Sequence, residues 1–192
     1  MDKILSCAVI GHSPMRFSWG FDERYETCRK LKKILRRRII SYIRSGVLCF
    51  NIVCDCGIGL YSAEIIIKIM KTNNAVSLNC IIPHEDFAAK WTNSLRRRYF
   101  KVLENCTEAQ LISIYKTNDC IEKAYESIIY SSGALLAVYD PMSCRLDSID
   151  NAVNKAQKLG LPIELIHPDT LKVSNHNPPQ IIFGKTLLQF SE

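Results

Sequence analysis

No run of apolar residues in this 192-residue sequence approaches the ~18 needed to span a bilayer as a helix, so no membrane-crossing helix is expected. The amino terminus, MDKILSCAVIG, carries a single Lys ahead of a short apolar run that stops at Gly11-His12. A core strand accounts for it better than a signal peptide does. There is no C-x-x-C pair and no Cys/His spacing that would hold zinc, so neither a metal nor a cofactor is expected. Internal repeats and low-complexity segments are also missing. Nine cysteines are present, an odd number, several of them inside apolar runs. They read as small buried hydrophobes in a reducing cytoplasm. Hydrophobic residues make up 47% and charged residues 23%, which argues against extended disorder.

The net charge of +6 is unevenly spread. Much of it falls in the run from Arg29 to Arg38, with a second cluster at Arg96-Arg97-Arg98. Leu31, Ile34 and Leu35 interrupt the first run at helical spacing, which makes it mainly the solvated face of an amphipathic helix. Nucleic-acid binding through it is the sharper alternative. It would be weakened by a helix on the outer side of the fold, away from the ligand crevice.

Short apolar runs alternate with longer helical patterns. Strands are expected at 4–10, 47–54, 75–82, 110–115, 133–139 and 162–166. Helices are expected at 26–45, 60–72, 87–105, 120–131 and 147–159, with Gly46 and Gly160 as stops and Pro83 closing the third strand. Six strands separated by helices describe βαβ units, hence a Rossmann-like, mostly parallel α/β sheet with helices on both faces. Residues 175–179 read as a polar, Pro-containing turn, and 181–190 as edge strands or a docking tail. The division expected is one domain over 1–168 and a short C-terminal extension over 169–192 packing on it.

In an open parallel sheet, ligands bind beyond the carboxyl ends of the strands. The loop after the first strand, 11–23, is long for its kind and holds His12, Arg16, Trp19, Asp22 and Glu23. The loop after the second holds Gly57 and Gly59 at the start of a helix, where free N–H groups attract anions. Pro83-His84-Glu85-Asp86 follows the third strand and Asp140 to Cys144 the fifth.

Together these loops resemble the YpsA family of the SLOG superfamily, a Rossmann-like group that includes DprA and the LOG phosphoribohydrolases. The family pattern T-G-H-R-P stands here as Ile10-Gly11-His12-Ser13-Pro14, followed by Trp19-Gly20-Phe21-Asp22-Glu23. S-G-x-A-x-G-x-D-x-x-A-A-E corresponds to residues 52–64, with Gly57, Ala63 and Glu64 kept. Pro83, Glu85 and Trp91, then Leu135 to Asp140, continue the series, so the resemblance spans about 4–166. Several positions depart. The pattern's Arg is Ser13, its Ser-Gly pair is Ile52-Val53, and its acid after the glycine is Gly59. The phosphoribohydrolase signature P-G-G-x-G-T-x-x-E does not occur.

The resemblance implies a small-molecule site for a nucleotide or nucleotide derivative. Gly11, His12, Trp19 and Asp22 would shape it, with Gly57, Glu64, Glu85 and Asp140 on its other sides. Each has a plainer alternative. Trp19 plugs the crevice and His12 orders its own loop; Gly57 and Gly59 make a tight turn; Glu64 pairs locally; Glu85 favours a helix start; Asp140 forms a turn before Pro141. Cys56, at a helix start and near His12, is a candidate nucleophile. A hydrolase acting on an N-glycosidic or phosphate bond would need Glu64 or Glu85 as general base. A single-stranded nucleic-acid binder and a degenerate interaction module remain as further alternatives. The apolar tail and the superfamily's habit point to a homodimer.

Overall fold

The computed structural model describes residues 6–143 and 147–176. The chain runs β1 (Ser6–Gly11), α1 (Glu26–Arg44), β2 (Cys49–Val53), α2 (Ile58–Met70), β3 (Ser77–His84), α3 (Asn93–Asn105) and β4 (Glu108–Ser113). It continues with α4 (Cys120–Tyr130), β5 (Ala134–Val138), α5 (Ser148–Lys158), β6 (Ile163–Ile166) and β7 (Val173–His176). The seven strands form one sheet in the order β4-β3-β2-β1-β5-β6-β7, parallel throughout except for β6–β7. The expected α/β sheet is therefore present, with one antiparallel strand added at its edge. Strand order reverses between β1 and β5, which are direct neighbours.

Strand alternation divides the core between the two faces of the sheet. Cys7, Val9, Phe50, Ile52 and Leu78 pack with Leu31, Leu35 and Ile39 of α1 and with α2 and α3. Ala8, Ile10, Leu135 and Ala137 point the other way, onto Ile128 of α4 and Val153 of α5. All six residues of β1 are buried, which explains its continuous apolar sequence. α1 buries Cys28, Leu31, Leu35 and Ile39, one side of a 3.6-residue repeat, and keeps Arg29, Arg36, Arg37 and Arg44 outside. Asp147 starts α5 with a capping box: its side chain accepts from Ile149 N–H and Asp150 N–H, and Asp150 answers from the third position.

Three expectations change. Asn175, assigned to a turn, lies in β7, where it pairs with Glu164. The helix expected from 87 begins at Asn93, because Thr92 takes the N-cap and the residues before it form consecutive turns. Pro83 does not close β3, which continues to His84. β2 ends opposite Ile81, and two residues on Pro83 faces the same unpaired side, where its missing N–H costs no ladder bond. The expected strand start at 4–5, Cys144 and the 181–190 segment lie outside the described residues. Among the described residues no helix is long and apolar enough to cross a membrane.

Candidate functional site

The carboxyl ends of β1, β2, β3 and β5 open onto two cavities that share Cys56 in their walls. The larger, of about 590 Å³, lies between the loop after β1 and the start of α3. Phe21 and Glu23 come from that loop, and Lys90, Trp91, Thr92 and Arg98 from the α3 side. The smaller, of about 190 Å³, sits at the β1/β5 reversal among Ser13, Asp55, Cys56, Tyr125 and Asp147.

In the larger cavity, Phe21 is 48% exposed, and Trp91, partly buried, stands edge-on to both Phe87 and Tyr99. That packing fixes the Trp91 ring while leaving part of it on the cavity wall. Arg98 holds Glu64 with two hydrogen bonds, of 2.7 Å and 2.9 Å, and also reaches Glu23. Lys32 pairs with Glu23 from α1. Burial works against the charge of Glu23, yet the hydrogen bonds from Arg98 and Lys32 prevail and hold its carboxyl below the usual range. Glu23 thus presents an ionised carboxylate at the cavity.

The residues picked from the sequence are distributed differently. His12 is 1% exposed. Its Nδ1 lies 2.8 Å from Arg16 Nη1 and its Nε2 3.1 Å from the Asp140 N–H, so both ring nitrogens face donors. Burial, and then the Arg16 charge, lower its pKa, so the ring is neutral. The buried ring lines neither cavity. Arg16 Nη1 also donates to Asp147 at 3.0 Å, tying the loop after β1 to the start of α5. Trp19 is 4% exposed, stacked on Phe17 at 4.6 Å, and its Nε1 meets no acceptor among the described residues. Asp22 is exposed and pairs with Arg24.

Gly11 is buried against α2: a Cβ there would come within 2.5 Å of Ile58 Cγ1. The N–H groups of Gly57 and Gly59 are taken by Asp55 Oδ1, at 2.7 Å and 3.2 Å. Glu64 pairs with Arg98, Glu85 is exposed in the turn after β3, and Asp140 accepts the Met142 N–H at 2.9 Å. Of the sequence candidates, then, Gly11 lines the smaller cavity and Cys56 lines both, while His12, Trp19, Asp22, Gly57, Glu64, Glu85 and Asp140 line neither.

Cys56 is not activated. Burial, then the neighbouring Asp55, push its thiol up to about 11, the reverse of what a nucleophile at a helix start needs. The basic face of α1, with Arg29, Lys33, Arg36 and Arg37 exposed, lines neither cavity.

Asp55, which sequence reading passed over, is the hydrogen-bonding centre of the turn between β2 and α2. Its Oδ2 accepts the Tyr125 hydroxyl at 3.0 Å in addition to the two glycine amides. Burial pushes its carboxyl up to about 6, against the pull of those three donors. An acid just ahead of a glycine-initiated helix is an N-terminus signal that could have found it. Arg98 carries no local signal of its pairing, because Glu64 and Glu23 lie 34 and 75 residues away.

Comparison with known proteins adds a lineage to this geometry. Residues 7–171 match the sequence profile of the YspA SLOG family (YpsA). The chain is 25% identical over 156 residues to a UPF0398 protein of Halalkalibacterium halodurans, covering 79% of this chain and 82% of that one. It is 26% identical over 136 residues to UPF0398 proteins of Bacillus thuringiensis (strain Al Hakam) and Bacillus anthracis (strain A0248), covering 69% of this chain and 73% of each.

Proposed function

The chain belongs to the YspA SLOG family, and on that footing we propose that it binds a nucleotide or nucleotide derivative in the larger cavity at the carboxyl end of the sheet. The observation that carries this reading is the composition of that cavity. Its volume of about 590 Å³ falls in the range of small-molecule sites, and its wall combines two aromatic rings, the Glu23 carboxylate paired with Arg98, and Lys90, which has no ion-pair partner among the described residues. Trp91 and Phe21 offer π faces on which a base stacks, a contact worth ~1–3 kcal/mol per base. Glu23, kept ionised by Arg98 and Lys32, accepts hydrogen bonds from ribose hydroxyls. Lys90, together with the first amides of α3, attracts a phosphate.

No bond-breaking step is assigned. Glu64 is committed to Arg98, Glu85 lines neither cavity, and the Cys56 thiol is held protonated. The reading places the protein in the cytoplasm, where nucleotides are abundant.

Tryptophan fluorescence tests it directly, because the two tryptophans occupy opposite environments. Saturable quenching by a nucleotide from a broad panel is expected, kept in Trp19→Phe and lost in Trp91→Phe. Native mass spectrometry of the same samples counts ligand and subunits. A panel with no saturable response and no adduct would overturn the reading.

A further inference from the structure

Two of the helices that start at the smaller cavity, α2 and α5, begin on the chain's own carboxylates. At α2, Asp55 takes the Gly57 and Gly59 amides and the Tyr125 hydroxyl. At α5, Asp147 takes the Ile149 and Asp150 amides with one oxygen and Arg16 with the other. Among the described residues no Lys or Arg lines this cavity of about 190 Å³, whereas two carboxylates do.

The amides at a helix start form the usual cradle for phosphate. Here the cradle of α2 is already filled by an anion built into the chain. A phosphate arriving there would have to displace Asp55 from its three donors, and it would meet the charge of Asp147 in the same confined space. The position also leaves no second route to the amides. A Cβ at residue 59 would stand 2.1 Å from the Val53 carbonyl oxygen and 3.1 Å from Asp55 Oδ2, so the carboxylate fills the space beside the glycine.

We infer that Asp55 is a specificity-determining residue that occupies the anion cradle of α2 and bars phosphate from the β1/β5 end of the crevice. A nucleotide therefore lies with its phosphate at the Lys90 end and an uncharged, hydroxyl- or amine-bearing part toward Asp55. That orientation rests on the nucleotide reading above; the exclusion of phosphate by Asp55 does not.

Inorganic phosphate is the probe that separates the two. Selective ¹⁵N-glycine labelling yields spectra of only eight glycines, with Gly57 and Gly59 at the cradle itself. At pH 8 their resonances are expected to stay fixed in the wild-type protein as phosphate is added. In Asp55→Ala they should move saturably, with at least tenfold tighter phosphate binding than wild type. Asp55→Ser, which keeps a capping acceptor for α2 but leaves room for an anion, should behave the same way and guards against loss of fold. Wild-type shifts as large as the variants', or two folded variants that do not respond, would overturn the inference. For orientation, a nucleoside 5′-phosphate should lose affinity in Lys90→Ala while its parent nucleoside does not. Equal loss by both would reject that half.

Discussion

Arg98 of α3 grips Glu64 of α2 through two parallel hydrogen bonds, 2.7 Å and 2.9 Å long, and a third bond carries it on to Glu23 beside the cavity. One guanidinium thus fastens two helices and a loop. Its side chain and those of its partners are only 25–33% exposed, so solvent screens the network less than an ordinary surface pair. Glu64→Gln should lower stability by about 1–2 kcal/mol in urea denaturation. Any nucleotide binding should change little, because Glu64 does not line the larger cavity. A variant with unchanged stability and abolished binding would instead put Glu64 in contact with ligand.

His12 and Trp19 should behave as parts of the framework. His12→Ala leaves the Arg16 guanidinium and the Asp140 N–H without an imidazole to meet, at ~1–3 kcal/mol. Trp19→Ala empties a site under the Phe17 ring and should cost ~3–5 kcal/mol. Trp19→Phe should recover most of that loss. Thermal melts of the three variants check the order. If Trp19→Ala melts like the wild type but loses ligand, the ring belongs to the site.

Opposite pH dependences meet at the crevice. Asp55 titrates near 6 in the folded chain, above its ordinary value, so the folded state holds that proton more tightly than the unfolded one. Its contribution to stability is greatest in acid and falls as pH rises from about 4 to about 6. His12 is shifted the other way, chiefly by burial, so the folded state resists its protonation. That contribution is present above about 6.5 and lost as pH falls. The two partly cancel on acidification. Asp55→Asn removes the compensating half and should lose stability more steeply than wild type between pH 7 and pH 4.5, by at most ~1.4 kcal/mol per pH unit. Parallel pH profiles for the two proteins would show that Asp55 titrates normally.

The sheet was readable in the sequence because strand and helix signals are local. ALLAV is apolar throughout since β5 is covered on both faces, and the 28, 31, 35, 39 spacing of α1 marks the side that packs on the sheet. The loops that line the two cavities were also readable, since topology places them at the carboxyl ends of the strands. Individual residues within them were not. In the loop after β1 the conspicuous Trp19 turns inward onto Phe17, and Phe21, two positions later, reaches the cavity wall. Nothing periodic in an irregular loop distinguishes the two. Asp55 falls in the loop after the second strand, and its bond to Tyr125, 70 residues on, appears only when the fold brings the two together. The β7 strand was hidden for a similar reason: its partner β6 supplies the pattern that VSNH lacks.

Gly59 and Gly11 should differ in a way that separates backbone from side-chain crowding. A Cβ at Gly11 meets Ile58 Cγ1 at 2.5 Å and Ile58 Cβ at 2.8 Å, so the obstacle is a side chain that can be trimmed. Gly11→Ala should cost about 1–3 kcal/mol, and adding Ile58→Ala should offset part of the clash, a coupling that a double-mutant cycle reads. At Gly59 the obstacle is the Val53 carbonyl oxygen, 2.1 Å away, which no side-chain substitution removes. Gly59→Ala should cost more than ~4 kcal/mol, and Asp55→Ala should not restore it, because the carboxylate lies a further ångström off. Recovery of Gly59→Ala by Asp55→Ala would mean that the turn yields at its backbone, and that the glycine is there to make room for the aspartate alone.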